Sequence, residues 1–552
     1  MVDTKERRAL IIGWDGGSFV VLDKMIERGL MPCLSDLIDK SVKSEFTSTI
    51  PPITAPAWTS FRTGKRPDNH GIFSFFKPPH ASLDIKDIVR NDARNIKANT
   101  FWNILNENAR KVVVADMPFT DPVEELDGAM VSGMMTRGRR GALAYPQGLP
   151  EEICAAFPGH FKKTLTDGID VSLAYLDHLI LSLEQKKDLD LYLMKQYQWA
   201  CFVTIFSAVD TLQHYFWKYI DPTSTVYAED ARFSAKIDTF YQKLDEILRA
   251  YTEQMDEDDL VFIVSDHGFG PADYVVYVNS ILEKTGFLTF TEEKAYSLKK
   301  RIDKTRVRNL IRTFDFLHLR KRIRKETRER VKKAFLSDDL PVRWDKTKAY
   351  FRTTGEEGIY INKTKRFDHG VVDDANYDTI VASLVEVLQD LRNPENGEKV
   401  FDFVRKRSDV YKGKSTDDAP DIIVGPKKGY LLKRHKPGSK VIDVARDPFL
   451  TGTHRPEGIF VAKGSPFKKR QRPGPLKIED FTPILLYSLN VPLPKDLDGN
   501  VSLAIFNDNF KDSCRIAYKD YEGIREKVFQ DALGSADDKE IKKQLSQLGY
   551  ID

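Results

Sequence analysis

Residues 9–17 read ALIIGWDGG, a short apolar run that ends at an aspartate and two glycines. Apolar and polar residues do not alternate in the run, and continuous apolar residues are typical of a strand that is covered on both faces. The two glycines allow a sharp backbone turn, which leaves the carboxylate of Asp15 pointing outward. The segment therefore predicts a buried strand with Asp15 at its carboxyl end, although an aspartate in this position could also cap the next helix.

The same pattern recurs along the chain. Further apolar runs lie at 111–115, 200–209, 260–265, 421–424 and 458–462. Helical patterns separate them, and buried strands alternating with helices predict an α/β fold with a mostly parallel central sheet sandwiched by helices. Four of the runs end in an aspartate, at Asp15, Asp116, Asp210 and Asp266. Ligands of open α/β sheets bind beyond the carboxyl ends of the strands, so these aspartates mark the expected position of a site.

Length and composition bound the organisation of the chain. Its 552 residues exceed one small core and predict two to four structural units, or one large α/β core with insertions. The hydrophobic share of 41%, the charged share of 30% and the net charge of +3 are ordinary and indicate no particular partner. We predict a first part of the catalytic core over 1–291, an insertion over 292–340, a second part of the core over 341–510, and a charged helical tail over 511–552.

The predicted insertion is strongly basic. Residues 299–333 contain sixteen Lys or Arg and four Asp or Glu, with apolar residues at rough helical spacing. This pattern predicts one or two basic amphipathic helices. We interpret them as a solvated cap or hairpin. A lid or a docking surface for an anionic substrate, nucleic acid or membrane is the alternative interpretation.

Cysteine usage and the absence of targeting signals predict a cytoplasmic protein. Cys33, Cys154, Cys201 and Cys514 are far apart and form no CxxC motif, which fits a reducing compartment. The first residues run directly into the strand at residue 9, without the apolar segment of a signal peptide. No apolar stretch reaches the length of a transmembrane segment.

Two segments pair carboxylates with imidazoles. Asp210 and His214 are four residues apart, which places both side chains on one helix face, and such pairs are natural zinc ligands. Asp266 and His267 follow the apolar run at 260–265, and Gly268 allows the turn at which their side chains can converge. Each pair taken alone could equally be a surface pair or a turn without a shared ligand.

A histidine and a hydroxyl complete the candidate set. His454 lies in a glycine-containing loop, TGTHRPEG, just before an apolar run. Thr54 lies in PPITAPAW, where prolines stiffen the chain and a helix is expected to start near Ala57. A hydroxyl at a helix N-terminus is well placed to hold a phosphoryl oxygen, although it is also a common helix cap.

Together these side chains fit one chemistry. Two sets of carboxylates and imidazoles could hold two divalent cations on either side of the Thr54 hydroxyl. One cation would lower the pKa of that hydroxyl, and the other would stabilise a leaving oxygen at phosphorus. The sequence therefore predicts a metal-dependent hydrolase of phosphate esters.

The order of these motifs resembles that of the alkaline phosphatase superfamily, and within it the type I phosphodiesterase/nucleotide pyrophosphatase branch. The segments that carry the resemblance are GWDGG, PPITAPAWTSFRTGKRPDNHGI, VDTLQH, SDHG and GTHRPEG, which span residues 13–458. The stretch that begins with the prolines before Thr54 and ends in TGKRPDNHGI is the most specific of them.

The resemblance implies a role for each residue. It makes Asp15, Thr54, Asp266 and His267 the ligands of one metal ion, and Asp210, His214 and His454 the ligands of a second. Thr54 is the implied nucleophile, which forms a phosphothreonine intermediate that water hydrolyses. The implied ions are Zn²⁺, with Mn²⁺ as the alternative. The implied substrate is a small phosphate ester, such as a nucleotide or a nucleotide sugar.

One position departs from the family pattern. Nucleotide pyrophosphatases carry an asparagine shortly after the HGI segment, where it holds a phosphate oxygen, and here Phe75 stands at the aligned position. Lys65, Arg62 or the backbone N–H of Ala55 are the candidates to replace that donor. Because of this departure, a nucleotide substrate is less firmly implied than the metal centre.

Other activities of the same scaffold remain as alternatives. A sulfatase needs Cys or Ser followed by Pro and Arg in a C/S-x-P-x-R frame, and the frame that begins at Thr54 has neither the Cys or Ser nor the Arg. A phosphomonoesterase or a phosphonate hydrolase would use the same two metal ions and Thr54. A non-catalytic protein that holds metal and binds anionic partners through the basic insertion is the alternative outside the enzymes.

Overall fold

The computed structural model describes residues 6–134, 143–158, 171–291, 342–434, 440–445, 450–521, 523, 545–547 and 549–550. The strands in these residues are, in chain order, β1 (Ala9–Trp14), β2 (Val42–Thr47), β3 (Val112–Met117), β4 (Gly128–Ser132), β5 (Ala144–Tyr145), β6 (Cys201–Phe206), β7 (Leu260–Val264), β8 (Gly268–Tyr277), β9 (Ala349–Phe351), β10 (Gly358–Ile361), β11 (Phe401–Lys406), β12 (Ile422–Pro426), β13 (Gly429–Lys433), β14 (Ile442–Val444), β15 (Gly452–Arg455), β16 (Glu457–Lys463), β17 (Leu476–Lys477), β18 (Leu493–Pro494) and β19 (Tyr518–Lys519).

A nine-stranded sheet forms the centre of the fold, in the order β17-β2-β16-β7-β1-β6-β3-β4-β5. Its five middle neighbours β7, β1, β6, β3 and β4 are all parallel, whereas β16 and β5 run against the strands beside them. The predicted mostly parallel sheet is therefore confirmed. The run at 458–462 contributes an antiparallel strand to it.

Strand β1 shows why the central runs are apolar throughout. Leu10, Ile12 and Trp14 belong to the core on one face of the sheet, and Ala9 and Ile11 belong to the core on the other. Both faces are covered by helices, so a polar residue on either side would be buried without water.

The α-helices of the described residues are α1 (Phe19–Glu27), α2 (Pro32–Ile38), α3 (Thr54–Thr63), α4 (Pro67–His70), α5 (Phe101–Glu107), α6 (Leu149–Ala156), α7 (Leu173–Gln196), α8 (Ala208–Phe216), α9 (Ala231–Thr252), α10 (Val278–Lys284), and four further helices at Asp374–Gln389, Arg407–Val410, Phe481–Ser488 and Asp508–Ser513. Helices α1, α2, α7, α8 and α9 pack on one face of the sheet, and α3, α5 and the helix at Phe481–Ser488 pack on the other. In the described part of the chain, no helix has the length and apolar character needed to span a membrane.

Two four-stranded sheets accompany the central one in the described residues, and β18 pairs with β19 in a separate two-stranded sheet. Strands β11, β12, β10 and β9 form an antiparallel sheet with a core of its own. The run at 421–424 lies there, in β12, and does not join the central sheet. Strand β8 pairs with β13, β14 and β15 in the other small sheet.

Two of the four strand-end aspartates lie elsewhere than the sequence pattern suggested. Asp116 is still inside β3, and its carboxylate accepts a hydrogen bond from Lys186 of α7 at 2.9 Å. Asp210 is not at a strand end, because β6 stops at Phe206 and α8 has begun by Ala208. The predicted insertion at 292–340 lies outside the described residues, so the domain boundaries around it stay predictions.

Candidate metal centre

Five elements deliver the seven predicted side chains to one end of the central sheet. Asp15 follows β1, Asp266 and His267 follow β7, Asp210 and His214 lie on α8, His454 lies in β15, and Thr54 begins α3. Strands β1 and β7 are adjacent and parallel, so their carboxyl ends meet at the same edge.

Hydrogen bonds fasten the ends of β1 and β7 to each other. The backbone N–H of Gly16 donates to Asp266 Oδ1 at 3.1 Å, and the Ser265 hydroxyl donates to the carbonyl oxygen of Gly17 at 2.9 Å. Gly16 has φ +69°, a left-handed conformation that glycine adopts without strain. The turn therefore presents the carboxylates of Asp15 and Asp266 to the same space.

A second group forms where α8 meets β15. Asp210 and His214 are one helical turn apart, with 3.4 Å between Asp210 Oδ1 and His214 Nε2. The antiparallel pairing of β15 with β8 sets His454 opposite Phe269. His454 Nε2 then lies 3.1 Å from Asp210 Oδ1 and 3.0 Å from His214 Nε2.

His267 connects the two groups. Its Nε2 lies 3.3 Å from Asp266 Oδ2 and 3.6 Å from Asp15 Oδ1, and its ring stacks on that of His454 at 3.6 Å between centroids. Two sets of candidate ligand atoms result, and within each set all the atoms lie within 4.8 Å of one another. One set comes from Asp15, Asp266 and His267, and the other comes from Asp210, His267 and His454.

The three histidines are oriented alike. Nδ1 of each lies within hydrogen-bonding distance of a backbone carbonyl oxygen. The contacts are His214 to Gly452 at 3.1 Å, His267 to Gly268 at 3.1 Å and His454 to Pro52 at 3.0 Å. A carbonyl only accepts, so Nδ1 carries the proton and the lone pair of Nε2 faces the other ligands, as metal-binding histidines require.

Burial keeps two of these imidazoles neutral. It lowers the pKa of His214 to about 4 and that of His267 well below its usual range. Burial opposes ionisation of Asp210, yet the neighbouring His214 and His454 bring its pKa down to about 2. The group around α8 therefore offers the neutral nitrogen of His214 and the carboxylate of Asp210 near neutral pH, and both are suitable donors to a divalent cation.

Each carboxylate of the other group has one oxygen without a hydrogen-bond donor in the described residues. Asp15 Oδ1 and Asp266 Oδ2 are buried, and neither has a hydrogen-bond partner among the described residues. Burial raises the pKa of Asp266 to about 7 and, helped by the charges of Asp266 and Asp210, raises that of Asp15 well above its usual range. Bound cations would offset the cost of burying these charges, so the residues present fit a metal site.

Thr54 lies beside both groups. The helix α3 begins at Thr54 itself, three residues before the predicted start at Ala57, and its N-cap Ile53 makes no side-chain cap. The Thr54 hydroxyl is fully buried and lies 3.5 Å from His267 Nε2. It therefore sits at the positive end of a helix and next to the candidate metal ligands.

The predicted substrate-binding cations have other partners. Arg62 is buried and donates to the carbonyl oxygen of Phe119 at 3.1 Å and to the Thr59 hydroxyl at 3.3 Å. Lys65 forms an ion pair with Asp496. These contacts direct both side chains to partners other than Thr54, so they give no support to a role of either cation in holding a phosphate oxygen.

Phe75, in contrast, lies close to the site. Its ring packs against that of Tyr550 with 4.8 Å between centroids, and the Tyr550 hydroxyl is 3.1 Å from Thr54 Oγ1. A tyrosine hydroxyl therefore lies near Thr54, beside the position at which Phe75 stands in place of the family's asparagine.

Three residues of the site were not predicted. Trp58 Nε1 donates to Asp15 Oδ2 at 3.4 Å, and Gln213 Nε2 donates to the carbonyl oxygen of Gly16 at 2.7 Å. Tyr550 is the third. Trp58 and Gln213 lie inside two of the recognised motifs, PPITAPAWTSFRTGKRPDNHGI and VDTLQH, where their polar atoms could have been noticed. Tyr550 follows a glycine in LSQLGY, which signals a helix end but not what lies opposite it.

The sheet architecture is that of the alkaline phosphatase superfamily. A sequence profile of the type I phosphodiesterase/nucleotide pyrophosphatase family matches residues 9–456, and the chain belongs to that family. It is accordingly a phosphoric ester hydrolase. A search among curated proteins found no significant match.

Solved structures share the fold at low sequence identity. Human ectonucleotide pyrophosphatase/phosphodiesterase 5 is 14% identical, with 91% of this chain and 100% of that chain covered and a TM-score of 0.50. Phosphonoacetate hydrolase from Sinorhizobium meliloti 1021, in complex with phosphonoformate, is 15% identical, with 88% and 96% covered and a TM-score of 0.52. At these identities the similarity is one of fold.

Proposed function

We propose that this hydrolase cleaves phosphate diesters through Thr54, with two divalent cations held by Asp15, Asp266 and His267 and by Asp210, His214 and His454. Zn²⁺ suits the mixed nitrogen and oxygen donors, and Mn²⁺ is the alternative. The observation that supports this most is the placement of Thr54 Oγ1 at 3.5 Å from Nε2 of His267, which is a proposed ligand of the first cation.

The chain's own residues perform the steps as follows. Thr54 Oγ1 attacks phosphorus, and a bond forms between them while the bond to the leaving alcohol oxygen breaks. The hydroxyl proton passes to water, the leaving oxygen takes a proton from water to become the alcohol, and Thr54 carries the phosphoryl group with its remaining ester. Water then attacks phosphorus and the bond to Oγ1 breaks, and a proton from that water restores the hydroxyl. Bound cations would supply positive charge that favours ionisation of the hydroxyl and offsets the charge on the leaving oxygen.

Charge favours a diester over a monoester. A diester carries one negative charge near neutral pH, whereas a monoester carries nearly two. Arg62 and Lys65 are engaged by other groups, and the side chain at position 75 is a phenyl ring. The site thus depends on its cations for positive charge, and a singly charged substrate with an organic group on each side fits it better.

Turnover of bis-p-nitrophenyl phosphate tests the proposal. The purified chain is loaded with Zn²⁺ or with Mn²⁺ and compared with a chelated sample and with the monoester p-nitrophenyl phosphate. We expect metal-dependent release of p-nitrophenol, faster from the diester. Faster release from the monoester would make the protein a phosphomonoesterase, and release of phosphate from phosphonoacetate alone would make it a phosphonate hydrolase.

Replacement of the nucleophile is the direct test of mechanism. Thr54→Ala should reduce turnover by at least about 10³-fold, because no other hydroxyl replaces the attacking oxygen. Thr54→Ser is the matched variant, since it keeps the hydroxyl and should retain much of the activity. An active Thr54→Ala variant would contradict the assigned nucleophile.

One outcome of the turnover assay would favour the alternative outside the enzymes. Metal-loaded protein that turns over none of these esters would favour a non-catalytic protein that holds metal and binds anionic partners through residues 299–333.

We also propose a cytoplasmic location, supported by the four cysteines, all of which are free thiols in the structure. Cell fractionation followed by immunoblotting tests it.

A further inference from the structure

Residues 545–547 are helical, and the turn at Gly549 directs the aromatic side chain of Tyr550 into the site. The N–H of Tyr550 donates to the carbonyl oxygen of Leu545 at 2.9 Å, and the N–H of Gly549 donates to that of Ser546 at 3.2 Å. Gly549 has φ +81°. These are the hydrogen bonds and the left-handed glycine of a Schellman motif, in which the residue after the glycine turns back toward packed structure.

The segment is anchored on the central fold. Leu545 is fully buried in the core that covers one face of the sheet. The Tyr215 hydroxyl, on α8 next to His214, donates to the carbonyl oxygen of Gln547. Tyr550 is 4% exposed and belongs to the same core. Its position is therefore determined by packing as well as by the turn.

The Tyr550 hydroxyl contacts the proposed nucleophile. It lies 3.1 Å from Thr54 Oγ1 and 3.4 Å from His454 Nε2. Its ring is held from the side by Phe75, which has no polar atom of its own. In the described residues, the other polar contact of Thr54 Oγ1 is with His267, which is already assigned as a metal ligand.

We propose that Tyr550 is a further catalytic residue, whose hydroxyl donates a hydrogen bond to a nonbridging phosphoryl oxygen of the substrate. This inference rests on the proposed function. The nonbridging oxygens of a phosphoryl group bonded to Oγ1 lie around that atom and nearer to it than the Tyr550 oxygen does. A donor at 3.1 Å from Oγ1 can therefore reach one of them with a small adjustment.

Such a donor stabilises charge where it develops. During attack, negative charge accumulates on the phosphoryl oxygens, and a fixed donor in a water-excluded site acts on it without reorganisation. The phenyl ring of Phe75 holds the tyrosine ring but cannot donate. Tyr550 thus supplies the hydrogen-bond donor that the side chain of Phe75 lacks.

The test compares two tyrosine-to-phenylalanine variants of the full chain, loaded with Zn²⁺. Tyr550→Phe keeps the ring packing and removes only the hydroxyl. Tyr487→Phe is the matched control, because it removes a buried hydroxyl that donates to the Cys514 carbonyl oxygen at 2.8 Å, away from the site. With bis-p-nitrophenyl phosphate, Tyr550→Phe should lower kcat by about 10²-fold or more, as loss of an oxyanion donor does, with a smaller change in KM. Tyr487→Phe should leave kcat within a few-fold of the parent.

Metal content and melting temperature separate a catalytic role from a structural one. Tyr550→Phe should bind the same number of metal ions as the parent and melt at a similar temperature. Inhibition by orthovanadate, which adopts the geometry of the phosphoryl transfer, should weaken in parallel with kcat. A loss of activity that is matched by loss of metal would overturn the inference.

Two further results would overturn the role of Tyr550 and leave the proposed function standing. An unchanged kcat in Tyr550→Phe would show that the hydroxyl does not act. A higher kcat would show that Tyr550 occupies the site as a plug. An inactive parent, in contrast, would overturn the proposed function itself.

Gly549→Ala provides a second variant that does not alter the tyrosine. An added Cβ would lie 2.8 Å from Leu450 Cδ1, which the leucine side chain can relieve, but the φ of +81° strains any residue with a Cβ, so we expect the turn to shift and to displace Tyr550. We expect a fall in kcat in the same direction as in Tyr550→Phe. Faster turnover in Gly549→Ala would contradict the proposal.

Discussion

Removal of the metal ions should make the stability of the protein depend on pH in a defined direction. Asp266 is fully buried, and burial raises its pKa from 3.8 to about 7. A carboxyl group with a raised folded pKa stabilises the folded state below its unfolded pKa, and this contribution disappears as the pH rises through the folded value. The metal-free protein should therefore lose stability between about pH 4 and pH 7.

The size of the effect follows from the pKa values. Each pH unit between the unfolded and folded values corresponds to about 1.4 kcal/mol, so the whole interval corresponds to about 4 kcal/mol for Asp266. Between about pH 5.5 and pH 8 the expected loss is about 2 kcal/mol. For cooperative unfolding of 552 residues this is a fall of about 2 °C in melting temperature, beyond the change in the metal-loaded protein.

His214 and His267 contribute little in this range. Burial lowers the pKa of His214 to about 4 and holds that of His267 well below its usual range, so both imidazoles favour the neutral form without metal. Metal binding must displace protons from the carboxyl groups of Asp15 and Asp266, since the pKa of each is raised. The Asp266 proton alone should make the apparent Zn²⁺ affinity rise by about 30-fold from about pH 5.5 to pH 8, the equivalent of about 2 kcal/mol.

Differential scanning fluorimetry of chelated and Zn²⁺-loaded protein across this pH range measures the effect. The gap between the two melting temperatures should widen as the pH rises, and in Asp266→Asn the chelated protein should show a shallower pH dependence. A gap that stays constant or narrows with rising pH would refute the argument, since it would mean that the carboxyl groups are already ionised without metal.

Three further predictions concern other parts of the molecule. His454→Ala should reduce bound metal from two ions to about one and cut turnover by orders of magnitude, and equal metal content by elemental analysis would contradict its role as a ligand. Lys186→Met leaves the buried carboxylates of Asp116 and Asp190 without their cation, so urea unfolding should show a loss of about 3–5 kcal/mol with metal content per folded molecule unchanged. Deletion of residues 299–333 should change the ratio of diester to monoester turnover if they act as a lid, and unchanged kinetics would favour the solvated hairpin.

Much of the fold could be predicted from local sequence. The continuous apolar run of β1 indicated burial on both faces, and the structure divides its residues between two cores. The motifs around Asp15, Asp266 and His454 were recognisable because glycines mark the turns that free their side chains. These features depend on residues close together in the chain, and periodicity and turn preferences record them.

Local sequence could not determine which strand ends meet. Asp15 and Asp116 both end apolar runs, but β1 lies beside β7 and β3 lies on the far side of β6. Asp15 therefore faces Asp266, whereas Asp116 pairs with Lys186. The order of strands in a sheet results from packing between distant segments, and the pattern within one strand does not encode it.

Tyr550 is the clearest case of what only the tertiary structure decided. The sequence LSQLGY determined a helix end with a glycine turn and an aromatic residue after it. Tyr550 is 496 residues from Thr54 in the sequence, and nothing in either segment indicates that the two hydroxyls are in contact. Their contact exists because Leu545 packs in the core beside α8, which is where the ligands of the second group are held. The sequence alone thus determined which residues could do chemistry, and the packing of the core determined which of them share a site.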